Sequence, residues 1–138
     1  MLKAYADASA SVQQVWTVLA DVTSWPEQLS TFTSVTQVEG DGLVEGARYR
    51  VRQPGLPPAT YEVLALTDGE SFMWSAASPG ITTTATHVVT AGANGARLEL
   101  GIEWRGLLAR PVALLAARRT ARMIELEART FARLAEQG

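Results

Sequence analysis

The sequence predicts an α+β fold, a curved antiparallel β-sheet of six to seven strands wrapped around one long C-terminal α-helix. From Thr33 onward, apolar and polar residues alternate in segments separated by glycine- and proline-rich turns. Residues 107–136 instead contain no glycine and place their apolar side chains on one side of a helix. Because 138 residues suffice for one domain with its own core, we expect a single domain covering residues 1–138.

The residues before Thr33 predict one strand followed by two short helices. Residues 2–8 form a short mixed segment typical of an edge strand. Ser11 carries a hydroxyl that can cap the free amides of a helix, and apolar residues recur at three- and four-residue spacing over 12–20. Pro26 suits the first turn of a second short helix, 26–30, because that turn leaves its amide positions unpaired.

The middle of the chain predicts antiparallel strands joined by tight turns. Segment 47–53 alternates most clearly, with its arginines on one face and Tyr49 and Val51 on the other. The turn 92–95 predicts that the last two strands form a long hairpin. Strands at this spacing are typical of an antiparallel meander. The predicted strands are 33–39, 47–53, 59–66, 70–76, 81–91 and 96–105.

The last predicted element is a helix of about 26 residues, roughly 39 Å long. Pro111 lies in its first turn, where proline is tolerated. Arginines and glutamates occupy one arc, so the opposite, apolar stripe must be buried against the sheet. That stripe is predicted to contain Val112, Ala116, Met123, Leu126, Phe131 and Leu134.

Composition excludes several classes of function. Hydrophobic residues make up 47% of the chain and charged residues 19%, with a net charge of −2. The acidic pI of about 5.4 argues against nucleic acid as the main partner. With no cysteine and one histidine, disulfides and thiolate metal sites are excluded, and we expect no metal and no cofactor. No apolar run reaches the roughly 18 residues of a membrane span, and the N-terminus lacks a secretory signal, so we expect a cytoplasmic protein.

Several short motifs, in order, resemble a known family. They are Val15–Asp21 leading to Trp25-Pro26, then Gly46–Val51, Tyr61–Val63, Phe72–Trp74, Thr86–Val89 and Ala96–Leu100. Together with the order of elements, they resemble the START-like (SRPBCC) superfamily, in its polyketide cyclase/dehydrase-like branch. The resemblance covers nearly the whole chain and implies the helix-grip fold. It implies no single activity, because the superfamily includes lipid carriers, hormone receptors, cyclases and chaperone-associated modules.

A sheet curved around a helix leaves a cavity between them, where a ligand is expected to bind. Aromatic residues from the strands and the second short helix are candidates for its wall, because they offer apolar area with occasional polar groups. The alternative for each is ordinary core packing. The candidates are Trp25, Phe32, Tyr49, Tyr61, Phe72 and Trp74, with Trp104 expected on the same buried face near the helix start.

Few polar side chains are predicted to face this cavity. His87 shares a face with apolar residues and could act as an acid or base or orient a ligand; otherwise it is a hydrogen-bonded core histidine. Arg119 and Glu127 interrupt the helix stripe, and Arg119 could hold a ligand carboxylate or phenolate. Its alternative is a side chain packed flat with its charge reaching water. Met123 suits an adaptable cavity wall, or plain core.

Three functions remain open from the sequence. The first is binding of an apolar or aromatic small molecule, lipid- or polyketide-like. The second is a cyclase- or dehydratase-type enzyme with His87 as acid/base, although no catalytic constellation can be identified among His87, Tyr49, Tyr61, Glu127 and Arg119. The third is a protein-interaction module, for which the predicted outward Leu64 and Leu66 are the only hints. A homodimer is compatible with all three.

Overall fold

The computed structural model describes residues 1–138 and contains seven strands and three α-helices. A 3₁₀ turn, Val22–Ser24, joins the first two helices. The predicted order and type of the elements are confirmed. The ends of the strands and of the first two helices differ from the predicted ones by at most two residues, and the last helix has 29 residues instead of about 26. The elements are β1 (Leu2–Ala8), α1 (Val12–Ala20), α2 (Trp25–Gln28), β2 (Ser34–Glu39), β3 (Arg48–Arg52), β4 (Ala59–Thr67), β5 (Ser71–Ser78), β6 (Ile81–Gly92), β7 (Gly95–Arg105) and α3 (Ala109–Gln137).

The seven strands form one antiparallel sheet in the order β1-β7-β6-β5-β4-β3-β2. The β6–β7 hairpin is paired continuously from Thr82–Arg105 to Gly92–Gly95, which confirms the predicted long hairpin. β1, the first strand of the chain, pairs with β7, so β1 and β2 are the two edge strands of the sheet. α3 packs against β1, β7 and α1. This arrangement is the predicted helix-grip fold.

A capping box fixes the start of α1. The Ser11 Oγ accepts a hydrogen bond of 3.1 Å from the Gln14 amide, while the Gln14 Oε1 accepts one of 2.8 Å from the Ser11 amide. Each bond satisfies an amide that the first helical turn leaves free. The cap predicted from Ser11 is therefore confirmed, and it begins a nine-residue helix whose buried face contains Val15, Trp16 and Leu19.

α3 is buried in its C-terminal half only. The helix contacts the core through residues at three- and four-residue spacing, from Ile124 through Ala128 and Phe131 to Ala135. The small alanines let the helix approach the sheet closely. Leu126, predicted on the apolar stripe, is instead exposed. It lies two residues, about 200° of helix rotation, beyond Ile124, so it points to the opposite side.

A β-bulge in β4 changes the predicted direction of one leucine. Val63 pairs with Trp74, but the next pair is Ala65 with Met73, which leaves Leu64 as the extra residue. The extra residue reverses the alternation, so Leu66 pairs with the buried Phe72 and packs against the core. Leu64 is exposed as predicted, whereas the outward direction predicted for Leu66 is wrong. The hint of an apolar patch on the outer sheet is reduced to one residue there.

Candidate functional site

A cavity of about 40 Å³ lies between the inner face of the sheet and α3. That volume holds one or a few water molecules. Its wall is mainly apolar, and it includes Gln53, Leu100 and Ile124, which the sequence did not mark as site residues. It also includes Glu127, which the sequence placed on the inner stripe of the helix without assigning it a ligand contact. Six predicted side chains line the cavity: Trp25, Phe32, Tyr61, Trp74, His87 and Met123.

Four predicted site residues lie elsewhere. Tyr49 and Phe72 are buried behind the wall, where the Tyr49 hydroxyl donates to the Gly42 carbonyl at 3.1 Å and the Phe72 ring stacks on His87. Both side chains lie on the inner face of the sheet and pack behind the residues that line the cavity. The half-buried Trp104 lines a separate groove beside the start of α3, because the end of β7 extends past the cavity.

Arg119 contacts the protein rather than the cavity. Its Nη2 donates to the Pro54 carbonyl oxygen at 2.9 Å, and the side chain is exposed. Gly55 has a positive φ of +75°, and a Cβ there would lie 2.5 Å from that Nη2. Arg119 thus joins the loop 54–58 to α3, and the interpretation in which its charge reaches water describes it better than a ligand contact does.

Trp25 is the centre of the aromatic cluster. Five other aromatic rings lie around it, with centroid distances of 5.1 to 6.4 Å. The Trp25 indole donates to the Leu19 carbonyl at 3.1 Å, so its one polar group is satisfied. The cluster joins α2, the sheet and α3 through the rings of Phe32, Phe72, Trp74, His87 and Phe131. One face of this rigid group forms the cavity wall.

Glu127 is the unusual group of the site. It is 7% exposed, and its Oε2 has no hydrogen-bond partner. Burial raises the pKa of its carboxyl from an ordinary 4.5 to about 7, and the nearby Thr31 hydroxyl offsets only part of that rise. The Thr31 Oγ1 is likewise buried without a partner at hydrogen-bonding geometry. Glu127 therefore places an acceptor, and near neutral pH a transferable proton, in an aromatic cavity.

Tyr61 supplies a hydroxyl close to that carboxyl. Its ring lies 5.0 Å from the Trp74 ring, measured between centroids. Burial raises the pKa of Tyr61 to about 12, and the negative charge of Glu127 adds to the rise. The Tyr61 hydroxyl consequently keeps its proton at neutral pH and remains able to donate a hydrogen bond.

His87 is held as a neutral ring. Its Nδ1 lies 3.2 Å from the Phe72 carbonyl oxygen, which only accepts, so Nδ1 carries the proton and Nε2 is left as an acceptor. The ring stacks on Phe72 at a centroid distance of 3.9 Å. Burial lowers the pKa of His87 to about 4, and the bond to Phe72 offsets part of that shift. His87 can orient a ligand hydroxyl, but it is a weak base.

We expect NMR titration of His87, the only histidine, to show no protonation between about pH 5.5 and pH 8. Since its pKa of about 4 in the folded protein lies below the ordinary 6.5, His87 contributes stability above about pH 6.5. That contribution is lost as the pH falls through the folded pKa. Imidazole ¹³C shifts measure the value directly, and a midpoint near 6.5 would contradict the buried, neutral ring.

Half-buried residues cover the cavity on the side of the loop 54–58. The Gln53 Nε2 donates to the Thr31 carbonyl at 3.1 Å and lies 3.7 Å from the Met123 Sδ. Arg119, one turn before Met123 on α3, binds the same loop at Pro54. Methionine and glutamine side chains change rotamer readily, so Gln53 and Met123 form the adaptable part of the wall.

The fold and this cavity define a helix-grip protein with an aromatic-walled interior cavity. The chain belongs to the family described as polyketide cyclase/dehydrase and lipid transport, whose model matches residues 3–136. No curated protein sequence matches the chain.

No group of three or more histidine, cysteine, aspartate or glutamate residues converges as a metal site. None of the helices combines the length and apolar character needed to cross a membrane.

Solved structures of low sequence identity share the fold. A hypothetical protein from Helicobacter pylori has a TM-score of 0.76 at 15% identity, over 97% of this chain and 86% of that one. The protein Ara h 8.0201 has a TM-score of 0.68 at 9% identity, over 99% of this chain and 97% of that one. The di-domain ARO/CYC StfQ from the steffimycin biosynthetic pathway has a TM-score of 0.71 at 14% identity, over 99% of this chain and 49% of that one.

Proposed function

We propose that the protein binds a small apolar or aromatic molecule that carries a hydrogen-bond donor, in the cavity between the sheet and α3. The observation that carries this proposal is the Glu127 Oε2, which is buried in an aromatic wall without a hydrogen-bond partner. A buried polar group without a partner costs free energy, and a ligand hydroxyl that donates to Glu127 would remove that cost. The cyclase and lipid-transport description of the family supports a ligand of this character.

The polar groups of the cavity suggest how such a ligand is oriented. In this orientation, Glu127 accepts a hydrogen bond from the ligand hydroxyl, and the Tyr61 hydroxyl donates to a ligand oxygen. The His87 Nε2 offers a second acceptor. The rings of Trp25 and Trp74 provide flat apolar surface. This is the usual composition of a small-molecule site, a mainly apolar wall with a few convergent polar groups.

The size of the cavity requires the wall to move when the ligand binds. About 40 Å³ is too small for a benzene-sized ring, which occupies engineered cavities of about 150 Å³. Met123 and Gln53 can make room by changing rotamer, since both are half-buried and one contact joins them. Binding is therefore expected to change the environment of Met123 more than that of the Trp25 cluster.

A comparison of phenol with toluene tests the proposal, because they differ by a hydroxyl in place of a methyl group. We expect NMR titration at about pH 8, where a carboxyl with a pKa of about 7 is mainly ionised, to show tighter binding of phenol by about tenfold or more, the usual effect of a hydrogen bond to a charged group. Glu127→Met should abolish that preference. Glu125→Met, on the exposed side of the same helix, is the matched control. Absence of shifts at cavity residues, or an unchanged preference in Glu127→Met, would overturn the proposal.

A second candidate function is acid/base catalysis on a bound polyketide-like substrate. One observation favours it, the pKa of about 7 that burial gives Glu127. A carboxyl with that pKa can both take up and return a proton near neutral pH. Glu127 then replaces His87 as the acid/base candidate, because the pKa of His87 is far below neutrality. Turnover that follows the Glu127 pKa and is lost in Glu127→Gln distinguishes an enzyme from a carrier.

A further inference from the structure

The first half of α3 and the short segment before it expose leucines that nothing in the chain covers. Leu107 is 93% exposed, Leu114 86% and Leu115 89%. All the fully buried residues of α3 lie at or beyond Ile124. Fully exposed leucines that lie close together mark an interaction site more often than single scattered ones do.

Arginines alternate with these leucines on the same side of the helix. Arg110, Leu114, Arg118 and Arg122 follow one another at four-residue spacing, which puts them along one ridge, and Leu115 lies beside it. None of the three arginines has an acidic partner within 4.0 Å. We define the arginine–leucine surface by this ridge and its neighbours: Leu107, Arg110, Leu114, Leu115, Arg118 and Arg122.

Charge is strongly separated between this surface and the rest of the protein. No aspartate or glutamate occurs between Glu103 and Glu125, whereas five of the twelve basic residues lie in that interval. Over the rest of the chain, the seven remaining basic residues stand against all fourteen acidic ones. A protein with a net charge of −2 thus presents one locally cationic surface, and its occupant should be anionic as well as apolar.

We propose that the arginine–leucine surface docks on an anionic lipid bilayer. Leucine side chains can enter the boundary between headgroups and acyl chains, while arginines extend their charges to the lipid phosphates. Both halves of this chemistry are present on one helix face, and neither finds a partner within the chain. This surface is separate from the cavity, and docking does not depend on Glu127.

The two other occupants fit less well. In a symmetric dimer the same patch meets itself, which would bring the arginine ridges of two copies together at a cost in repulsion. Nucleic acid would neutralise the arginines but leave the leucines in water, and no aromatic side chain lies among them to stack on bases. Of the three occupants, an anionic bilayer satisfies both the charge and the apolar area.

The position of the surface gives docking a consequence for ligand exchange. Arg119 follows Arg118 on the same helix and holds the loop 54–58, and Met123 of the cavity wall follows Arg122. Docking would therefore bring the adaptable part of the cavity wall close to the bilayer. An apolar ligand could then pass between the two with little exposure to water.

Co-sedimentation with vesicles tests the proposal on the full chain. Vesicles of phosphatidylcholine alone are compared with vesicles containing about one third phosphatidylserine. We expect binding to the anionic vesicles only, and weaker binding at high salt. Leu114→Ser/Leu115→Ser and Arg118→Gln/Arg122→Gln should each weaken it by about tenfold or more.

Matched variants elsewhere on the surface control for general loss of charge or apolar area. Val38→Ser/Leu64→Ser changes two exposed apolar residues of the sheet, and Arg50→Gln/Arg52→Gln removes two exposed charges from β3. Both should bind within about twofold of the wild type. Circular dichroism confirms that each variant is folded. Glu127→Met should bind vesicles normally, so failure of the ligand-binding proposal is distinguishable from failure of this one.

Three results would overturn the inference. One is no binding to anionic vesicles, or equal binding to neutral ones. Another is an equal loss of vesicle binding in the control variants, which would attribute binding to overall charge or hydrophobicity. The third is a dimer in sedimentation velocity that Leu114→Ser/Leu115→Ser dissociates, which would show that a second copy covers this face.

Discussion

Replacing Glu127 by glutamine is expected to raise the free energy of unfolding more at about pH 8 than at about pH 4. The gain at the higher pH should exceed the effect at the lower pH by about 3 kcal/mol. The reason is the cost of ionising a carboxyl that is 7% exposed and whose Oε2 has no partner. Glutamine has nearly the same shape but carries no charge, so it avoids that cost. Urea unfolding of wild type and variant at both pH values measures the effect.

The sign follows from the direction of the pKa shift. Because the pKa of about 7 in the folded protein exceeds the ordinary 4.5, the folded state holds a proton that the unfolded state has released between those values. Stability contributed by Glu127 is fully present below about pH 4.5 and is lost as the pH rises through about 7. His87 is common to both proteins, so its own titration cancels in the difference.

Glu125→Gln is the control for this measurement, since the residue is exposed on the same helix. Its unfolding free energy should differ little from that of the wild type, because an exposed charge contributes little to stability. If the difference in unfolding free energy between Glu127→Gln and the wild type does not change with pH, the Glu127 carboxyl is solvated or paired. A protein that gains stability but loses its preference for phenol would show that the buried charge serves binding rather than folding.

The second large effect is expected from Trp25→Ala, which should lower the free energy of unfolding by about 3–5 kcal/mol. The indole is 3% exposed and contacts five aromatic rings, so its removal leaves a void that those rings cannot close by small shifts. It also leaves the Leu19 carbonyl without the indole donor. Chemical denaturation measures the loss.

Two further variants keep the prediction testable if Trp25→Ala fails to fold. Trp25→Phe retains a ring but loses the hydrogen bond to Leu19, and we expect it to cost less than half as much as the alanine variant. Trp104→Ala removes the same side chain from a half-buried position outside the cluster, and should cost less still. Equal losses at positions 25 and 104 would contradict the central role of Trp25.

Local patterns determined the elements of this fold. The Ser11 cap predicts the start of α1 because capping depends only on residues within one turn, and both of its hydrogen bonds are present. Alternation over Arg48–Arg52 likewise predicts which side of β3 is buried, because strand geometry alone sends neighbours to opposite faces. The inward direction of His87 follows from the same rule and is confirmed by its burial.

Only the tertiary structure decided which inward residues meet the cavity. Tyr49 and Tyr61 are cross-strand partners on the inner face of the sheet, yet only Tyr61 lines the cavity. The curvature of the sheet and the position of α3 determine which part of that face borders the cavity. The bulge at Leu64 turned Leu66 inward. Helix periodicity assigned both Leu126 and Glu127 to the inner stripe of α3, and only the packed position of the helix showed that Glu127 is inside and Leu126 outside. Periodicity defines faces, whereas packing between distant segments determines which part of a face becomes a site.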